Sequence, residues 1–266
     1  MTLLRIELNG ALASADDLRY LVQTNYGHFT AMRVEQGGVR GLDLHLQRLD
    51  TATRELFGTP LDHARVRTYL RSAIAGGSEL ALRVNIFSRA LDRDHLARVV
   101  EPDVLVIATE ARPVTLEPLR LKSFTYMRDA AAIKHVGTFP LFHYRRLAQQ
   151  AGFDDALFAD SSGRVSEGSI WNIGFIDDTG VVWPEAPQLT GSSMQLLQAG
   201  LARARIASTT RPIHLHELDN YRAAFFANAS VPVRPIVSID EHRFDIDETW
   251  LATLRRCYES NPVQSV

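Results

Sequence analysis

The stretch Ala156–Trp183, ALFADSSGRVSEGSIWNIGFIDDTGVVW, decides the fold because it contains two predicted β-hairpins. Asp160–Gly163 is a polar turn that ends in glycine and lies between two short runs of strand composition, and Asp177–Gly180 is another such turn. Hairpins join antiparallel strands, whereas parallel strands need long crossover connections. These turns therefore predict a mainly antiparallel sheet and argue against a doubly wound parallel fold.

Strand and helix patterns continue on both sides of this stretch. The first long helix is predicted from Leu42, Leu46 and Leu49, which recur at helical spacing, and from Gly58, which ends the pattern. The remaining predicted strands are Leu3–Leu8, His28–Val34, Glu79–Phe87, Asp103–Thr109, Leu119–Tyr126, Ala223–Ala227 and Val233–Ile239, and the predicted helices are Asp43–Leu56, Asp62–Ala75, Pro140–Ala151, Ser193–Arg205 and Ile246–Tyr258.

A connector at Ala111–Glu117 contains Pro113 and is followed by another proline, which is typical of a linker. We place a domain boundary there. The sequence thus predicts an α+β protein with two domains, a smaller one at residues 1–112 and a larger one at residues 118–266, each with a mainly antiparallel sheet.

The composition excludes several classes of protein. The 266 residues are 45% hydrophobic and carry a net charge of -2, so nothing indicates a nucleic-acid partner. We see neither a secretory signal at the start nor an apolar run long enough to span a bilayer. Cys257 is the single cysteine, which rules out an intrachain disulfide and a thiolate zinc site. We expect a cytoplasmic protein that binds neither membrane nor metal.

The lysines are rare, since only Lys122 and Lys134 stand among 29 basic residues. Arginine stays protonated in proteins, whereas lysine can lose its proton and attack a carbonyl carbon. Lys134 follows an apolar run, Ala130–Ile133, and lies between a predicted strand and a predicted helix. A nucleophilic role is one interpretation of this lysine, and an exposed solubilising charge is the other.

Three more positions carry chemistry, each with a plainer alternative. Arg48 lies on the first long helix and can grip a phosphate through two N–H donors, or it is a solvated charge. Glu167 follows a short strand and is either a held carboxylate or a turn residue that faces water. The loop Gln188–Ser193 leads into a helix, and the free N–H groups at the start of a helix can bind a phosphate. The commoner alternative is that a Ser or Thr side chain accepts a hydrogen bond from these N–H groups as an N-cap.

Taken in order, these segments resemble the class IV aminotransferases, the fold-type IV pyridoxal-phosphate enzymes, which include branched-chain and D-amino-acid aminotransferases and aminodeoxychorismate lyase. The resemblance runs from about Tyr26 to Ile239. The matching segments, written by their ends, are Tyr26–Arg33, His45–Leu49, Ile133–Lys134, Val165–Asn172, Leu189–Ser193 and Asn228–Ser230.

The resemblance implies a cofactor, a fold and residue roles. The cofactor is pyridoxal 5'-phosphate, held by Lys134 as a Schiff base in the larger domain, with Glu167 at the pyridine nitrogen. The fold is like that of D-amino-acid aminotransferase. A homodimer is expected, with the site between the domains and completed by a loop of the partner. The residues implied at the phosphate are Arg48, Gly191, Ser192, Ser193, Asn228 and Ala229.

Four residues depart from the family pattern. Thr30 stands where an acidic residue is frequent, Met194 where an arginine is frequent, and Ala229 where a hydroxyl residue is frequent. Trp171 adds bulk inside the glutamate motif. These departures bear on the substrate more than on the cofactor, and the phosphate site would depend more on backbone N–H groups and Arg48.

Three functions remain open. The first is an aminotransferase that moves an amino group between a small amino acid or amine and a 2-oxo acid. The second is 4-amino-4-deoxychorismate lyase of 4-aminobenzoate synthesis, because Phe29-Thr30, Ile133–His135 and Asn228–Val233 resemble lyase variants of these segments. The third is a non-catalytic member of the fold. Candidate substrate residues are Tyr26, His28, Arg128, Asn228 and Ser230.

Overall fold

The computed structural model of the protein describes residues 2–74, 77 and 79–266. Numbered in chain order, the strands are β1 Leu3–Leu8, β2 Ala11–Leu12, β3 His28–Glu35, β4 Gly38–Arg40, β5 Glu79–Phe87, β6 Asp103–Glu110, β7 Leu119–Thr125, β8 Asp155–Ala159, β9 Val165–Gly168, β10 Asn172–Ile176, β11 Val181–Pro184, β12 Ser208–Arg211, β13 Ala223–Ala227, β14 Arg234–Ile239, β15 His242–Arg243 and β16 Val263–Ser265. The helices are α1 Ala15–Thr24, α2 Leu42–Phe57, α3 His63–Ile74, α4 Phe139–Gln150, α5 Ser192–Arg203 and α6 Glu248–Glu259, with a 3-10 helix at Leu215–Asn220.

The chain forms two compact units, and two short segments beyond the predicted boundary belong to the first unit. The first unit comprises Met1–Pro113, Ile133–Gly137 and Pro262–Val266, and the second comprises Val114–Ala132 and Thr138–Asn261. The prediction placed Lys134 and the C-terminus in the larger domain at 118–266. Both are instead grouped with the first unit, because short segments of backbone there pair with strands of its sheet.

The sheet of the first unit has seven strands in the order β16-β4-β3-β5-β6-β1-β2, and its described pairs are all antiparallel. The predicted leucine stripe of α2 packs on this sheet, where Leu46 and Leu49 share one apolar cluster with Val84 and Val106. α2 ends at Gly58, whose φ of 72° suits glycine and whose N–H donates to the carbonyl of Arg54. The core therefore holds α2 at a fixed register against β3.

The segment Ile133–Gly137 lies beside the start of β3 and pairs with it in the antiparallel direction. The N–H of Phe29 donates to the carbonyl of Lys134 over 2.9 Å, and the N–H of Val136 donates to the carbonyl of Gly27 over 3.0 Å. A side chain at Gly27 would meet the carbonyl oxygen of Ile86 at 2.4 Å, so this position needs glycine. The two hydrogen bonds flank His135 and fix the backbone at the carbonyl of Lys134.

The sheet of the second unit has the order β12-β11-β10-β13-β14-β7-β8-β9, with β15 paired to β14. Both predicted hairpins are confirmed: β8 pairs with β9 across Asp160–Gly163, and β10 pairs with β11 across Asp177–Gly180. Antiparallel pairs outnumber the parallel pairs β7–β8, β7–β14 and β11–β12, so the predicted α+β class with mainly antiparallel sheets is confirmed. The hairpins in the sequence gave no sign of the parallel pairs, which come from long connections such as the one through α4.

Several element predictions differ from the structure in detail. α1, Ala15–Thr24, was not predicted, and none of its residues is fully buried. The predicted strand at Arg164–Val165 continues to Gly168, and the predicted helix at Ile246–Tyr258 begins only after its cap, Asp247. The predicted end of the second helix at Ala75 lies outside the described residues.

We expect Leu49→Ala to lower the free energy of unfolding by about 3 kcal/mol, because it leaves a cavity at a fully buried position of α2. The matched control is Leu12→Ala, at a leucine whose side chain is 75% exposed, and it should change the free energy by no more than about 0.5 kcal/mol. Denaturant unfolding followed by circular dichroism measures both. Equal losses in the two variants would contradict the assignment of the core.

Candidate functional site

Lys134 is half-buried in the first unit, and its amine lies beside an aromatic ring. The Nζ atom is 5.0 Å from the centroid of the Phe29 ring. Lys134 and Arg48 both contribute to a low pKa of His45, so their charges lie near the same imidazole. The structure therefore brings together the predicted lysine and the predicted phosphate-binding arginine, with a buried neutral histidine near both.

Arg48 belongs to a short polar chain between α2 and β3. Its Nη1 lies 3.5 Å from Oγ1 of Thr30, which lies 2.7 Å from Nδ1 of His45. His45 and Thr30 are buried, whereas Arg48 is half-buried. Burial is the main cause that lowers the pKa of His45 to about 3, and the nearby charges of Arg48 and Lys134 lower it further. The imidazole is thus neutral at neutral pH.

His28 and Tyr26 point to packing roles within the first unit. Thr53 donates its hydroxyl to the carbonyl of Leu49 over 2.7 Å, so the same oxygen accepts from Nε2 of His28 over 3.0 Å. Tyr26 donates its hydroxyl to the carbonyl of Leu56 over 3.4 Å. Both contacts tie β3 and its approach to α2. The substrate roles proposed for His28 and Tyr26 stay predictions.

Arg83 is a candidate that the sequence analysis missed. Its guanidinium carbon lies 3.5 Å from the centroid of the Phe29 ring, and its Nε donates to Oδ1 of Asn85 over 3.0 Å. Among the described residues, no salt bridge pairs Arg83 with a carboxylate. Burial lowers the pKa of Arg83, although an arginine stays charged at neutral pH. A half-buried guanidinium on the ring that also neighbours Lys134 is suited to bind a carboxylate. The sequence offered one signal for Arg83, namely its place on the predicted strand Glu79–Phe87, which is β5 and pairs with β3 in the structure.

In the second unit, Glu167 is buried at the end of β9 and held from two sides. Its Oε2 accepts from the N–H of Leu189 over 3.3 Å, and its Oε1 lies 3.4 Å from Nε of Arg128. Both side chains of this ion pair are less than a tenth exposed. Arg128 also donates to the carbonyl of Ala131. The open turn residue is therefore the wrong interpretation of Glu167. Arg128 contacts this glutamate, and its proposed substrate role stays a prediction.

The loop before α5 offers a cradle for a phosphate group. Gly191 is the N-cap of α5, and no side chain caps the helix. A Cβ at Gly191 would lie 2.0 Å from Oδ1 of Asn172, so this position needs glycine. The hydroxyl of Ser193 is buried and has no described hydrogen-bond partner, and Ser192 is buried beside it. Free N–H groups, the helix dipole and an unpaired buried hydroxyl together fit an anion.

The loop Asn228–Ser230 is shaped by its own backbone. Oδ1 of Asn228 accepts from the N–H groups of Ser230 and Val231 over 2.9 and 2.8 Å. Asn228 and Ala229 are half-buried, whereas Ser230 is exposed. The amide of Asn228 therefore builds the turn, and any contact of this loop with a phosphate would come from other atoms. The proposed ligand contacts of the three residues stay predictions.

The family model for class IV aminotransferases matches residues 27–239. This match spans most of the chain, so the chain belongs to the class IV aminotransferase family. It is an enzyme of this family, whose members include aminotransferases and aminodeoxychorismate lyases, and the family's cofactor is pyridoxal 5'-phosphate. The predictions of family, fold class and cofactor are confirmed at this level.

Solved structures share the fold at low sequence identity. A candidate 4-amino-4-deoxychorismate lyase from Legionella pneumophila is 20% identical, with a TM-score of 0.80, and the match covers 93% of this chain and 94% of that one. A branched-chain aminotransferase from Thermoproteus uzoniensis is 19% identical, with a TM-score of 0.80 and coverage of 96% and 94%. A hypothetical aminotransferase from Mycobacterium tuberculosis, in its pyridoxal-phosphate-bound form, is 19% identical, with a TM-score of 0.79 and coverage of 97% and 99%.

Within residues 2–74, 77 and 79–266, no helix combines the length and the apolar character needed to cross a membrane.

The two buried histidines predict acid sensitivity. Burial lowers the pKa of His28 to about 3, as it does for His45, whereas the ordinary value is 6.5. Between pH 6.5 and about 3, the two histidines are protonated in the unfolded chain but neutral in the folded protein. The free energy of unfolding therefore falls as the pH falls through this window. Each histidine can cost up to about 2 kcal/mol between pH 6.5 and pH 5.

We expect His28→Gln, which keeps a donor for Thr53, to reduce the loss of unfolding free energy between pH 7 and pH 5 by about 2 kcal/mol. Denaturant unfolding at the two pH values measures it. The control His63→Gln changes an exposed side chain at the start of α3 and should behave like the unsubstituted protein. The same acid sensitivity in His28→Gln and the unsubstituted protein would refute the assignment.

Proposed function

We propose that this chain is a pyridoxal-phosphate-dependent aminotransferase that moves an amino group between a small amino acid or amine and a 2-oxo acid, with Lys134 as the residue that binds the cofactor covalently. One observation carries the proposal. The carbonyl of Lys134 accepts from the N–H of Phe29, and the nearby N–H of Val136 donates to Gly27. The half-buried amine of Lys134 lies against the Phe29 ring, in the part of the first unit that also contains Arg48.

The bound cofactor supplies an electron sink for the charge released when a bond to the α-carbon of the substrate breaks. Lys134 then has two tasks. Its Nζ would hold the cofactor between turnovers. When free, it would carry the proton from the α-carbon of the substrate to the reacting carbon of the cofactor, first as a base and then as an acid. A lysine fixed by its backbone can do this because only its side chain must move.

The other cofactor residues of the proposal act through charge and hydrogen bonds. The carboxylate of Glu167 favours a proton on the pyridine nitrogen, and its burial strengthens that interaction. The candidate phosphate-binding groups are, in the second unit, the N-terminus of α5 with the hydroxyl of Ser193 and, in the first unit, Arg48. The neutral state of His45 leaves Arg48 and Lys134 as the positive charges in its neighbourhood.

Arg83 extends the proposal to the substrate. Its guanidinium and the amine of Lys134 lie near the same ring, that of Phe29. A carboxylate on the substrate would pair with Arg83 and place an amino group or oxo group toward Lys134. This favours acidic groups on the donor or acceptor, which fits 2-oxo acids as substrates.

The lyase is the second candidate. It would use the same lysine and cofactor but eliminate pyruvate rather than exchange an amino group. The observation in its favour is local sequence: Phe29-Thr30 and Asn228–Val233 resemble lyase variants, and the hydroxyl of Thr30 fills the place where the family often has a carboxylate. The segment Glu167–Ser169 is closer to the aminotransferase form, which keeps the aminotransferase ahead. The homodimer, completed by a loop of the partner, and the cytoplasmic location stay predictions.

We expect Lys134→Ala to abolish the visible absorption band that the lysine-bound cofactor gives when pyridoxal 5'-phosphate is added to the protein. The control is Lys122→Ala, which removes the other lysine; its Nζ also lies beside a ring, 5.3 Å from the centroid of Phe153. Lys122→Ala should keep the band. Loss of the band in both variants, or in neither, would overturn the assignment of Lys134.

A donor test separates the two reactions. Incubation of the loaded protein with amino donors and no acceptor should replace the band of the lysine-bound cofactor by that of pyridoxamine phosphate, because an aminotransferase stops after the first half-reaction. A screen of L-amino acids, D-amino acids and amines identifies the donor. If no donor changes the spectrum and aminodeoxychorismate gives pyruvate, the lyase is the correct function.

A further inference from the structure

A buried carboxylate lies behind the glutamate motif of the second unit. Asp155 begins β8 and is 1% exposed. Its Oδ1 accepts from the hydroxyl of Ser169 over 2.6 Å and from the N–H of Ala156 over 2.8 Å. Its Oδ2 accepts from the indole N–H of Trp171 over 3.1 Å and lies 3.4 Å from Nε of Arg145. These donors satisfy both oxygens, which is the condition for keeping an ionised carboxylate inside a protein.

Two of these donors belong to the turn that follows Glu167. Ser169 and Trp171 stand two and four residues after the glutamate, and the N–H of Gly168 donates to the carbonyl of Trp171 over 2.9 Å. The indole ring covers Gly168 so closely that a Cβ there would lie 2.0 Å from it. The turn is therefore closed by a hydrogen bond of its own backbone, and two of its side chains are held by the carboxylate of Asp155.

Trp171 is fixed on its other side as well. Its ring stacks on Phe226 of β13, with centroids 4.9 Å apart. Rotation of the indole would break both the stacking and the hydrogen bond to Asp155. The bulk that Trp171 adds to the motif thus has a structural reason, since it supplies a donor to the buried carboxylate and a cover for Gly168. A phenylalanine at this position would supply the ring without the donor.

We propose that Asp155 and Trp171 are positioning residues that hold Glu167 in the orientation in which it meets the cofactor. This inference rests on the proposed function, because it assumes that Glu167 faces the pyridine nitrogen. The two residues reach the cofactor only through the turn Gly168–Trp171. Their effect is therefore on how well Glu167 is placed.

The chain contains a matched control for the test. Trp183 is also buried in the second unit, and its indole N–H donates to Oγ of Ser208 over 3.1 Å, the same length as the Trp171–Asp155 bond. Trp171→Phe and Trp183→Phe thus each remove one indole hydrogen bond from a buried ring; the acceptor of Trp171 is buried, whereas Ser208 is exposed. A purely structural role predicts similar effects on stability in both variants and an unchanged affinity for the cofactor.

The experiment titrates the cofactor-free proteins with pyridoxal 5'-phosphate and follows the visible absorbance. We expect Trp171→Phe to weaken binding about fivefold to tenfold, the equivalent of one lost hydrogen bond, and Trp183→Phe to change it less than about twofold. Ser169→Ala removes a different donor to Asp155 and should weaken binding in the same direction, so the test survives if Trp171→Phe folds poorly. Equal affinity in Trp171→Phe, Ser169→Ala and the unsubstituted protein overturns the proposal.

A second experiment tests whether the weaker cofactor binding of Trp171→Phe depends on Glu167. In a Glu167→Gln background, Trp171→Phe should weaken binding no further, because the group that it positions has lost its charge. The same fold-change in both backgrounds overturns the positioning role. Failure of the unsubstituted protein to bind pyridoxal 5'-phosphate at all would overturn the proposed function itself. The two failures can be told apart, because the positioning role can fail only in an experiment in which the unsubstituted protein binds pyridoxal 5'-phosphate normally.

Discussion

The pair of backbone hydrogen bonds between Gly27–Phe29 and Lys134–Val136 is the constraint on which the account of the first unit depends. They attach a segment that is remote in sequence to the start of β3 and so fix the position of one of only two lysines. Gly27 also lies close to β5 on its other side, where a side chain would collide with the carbonyl of Ile86. Because the backbone is held, the lysine side chain can move without disturbing the fold.

Buried polar contacts play the corresponding part in the second unit. Glu167 is held by the backbone of Leu189 and by Arg128, and the turn that follows it is held by Asp155. Buried charges are costly unless they are paired, so such contacts specify one arrangement of the loops around them. The hydroxyl of Ser193 is also buried, and it has no hydrogen-bond partner among the described residues.

The sequence was sufficient where local pattern decides structure. The hairpins at Asp160–Gly163 and Asp177–Gly180 and the leucine stripe of α2 are local signals, and each of them is confirmed. The order of the motifs identified the family, because each motif alone was weak and their sequence along the chain was specific. The match of the family model over residues 27–239 agrees with that interpretation.

Contacts between remote parts of the chain could not be predicted. Nothing near Lys134 shows that its segment pairs with β3, and nothing near Val263 shows that β16 pairs with β4, so the predicted boundary misplaced both. Arg83 and Asp155 were missed because their roles come from side chains that lie far away in sequence.

The most direct test of the central claim is to load the protein with pyridoxal 5'-phosphate, fix the cofactor to its lysine with borohydride, and map the modified peptide by mass spectrometry. The account predicts a single phosphopyridoxyl group on the peptide that contains Lys134. Modification of Lys122 instead, or no stable adduct at either lysine, would contradict it.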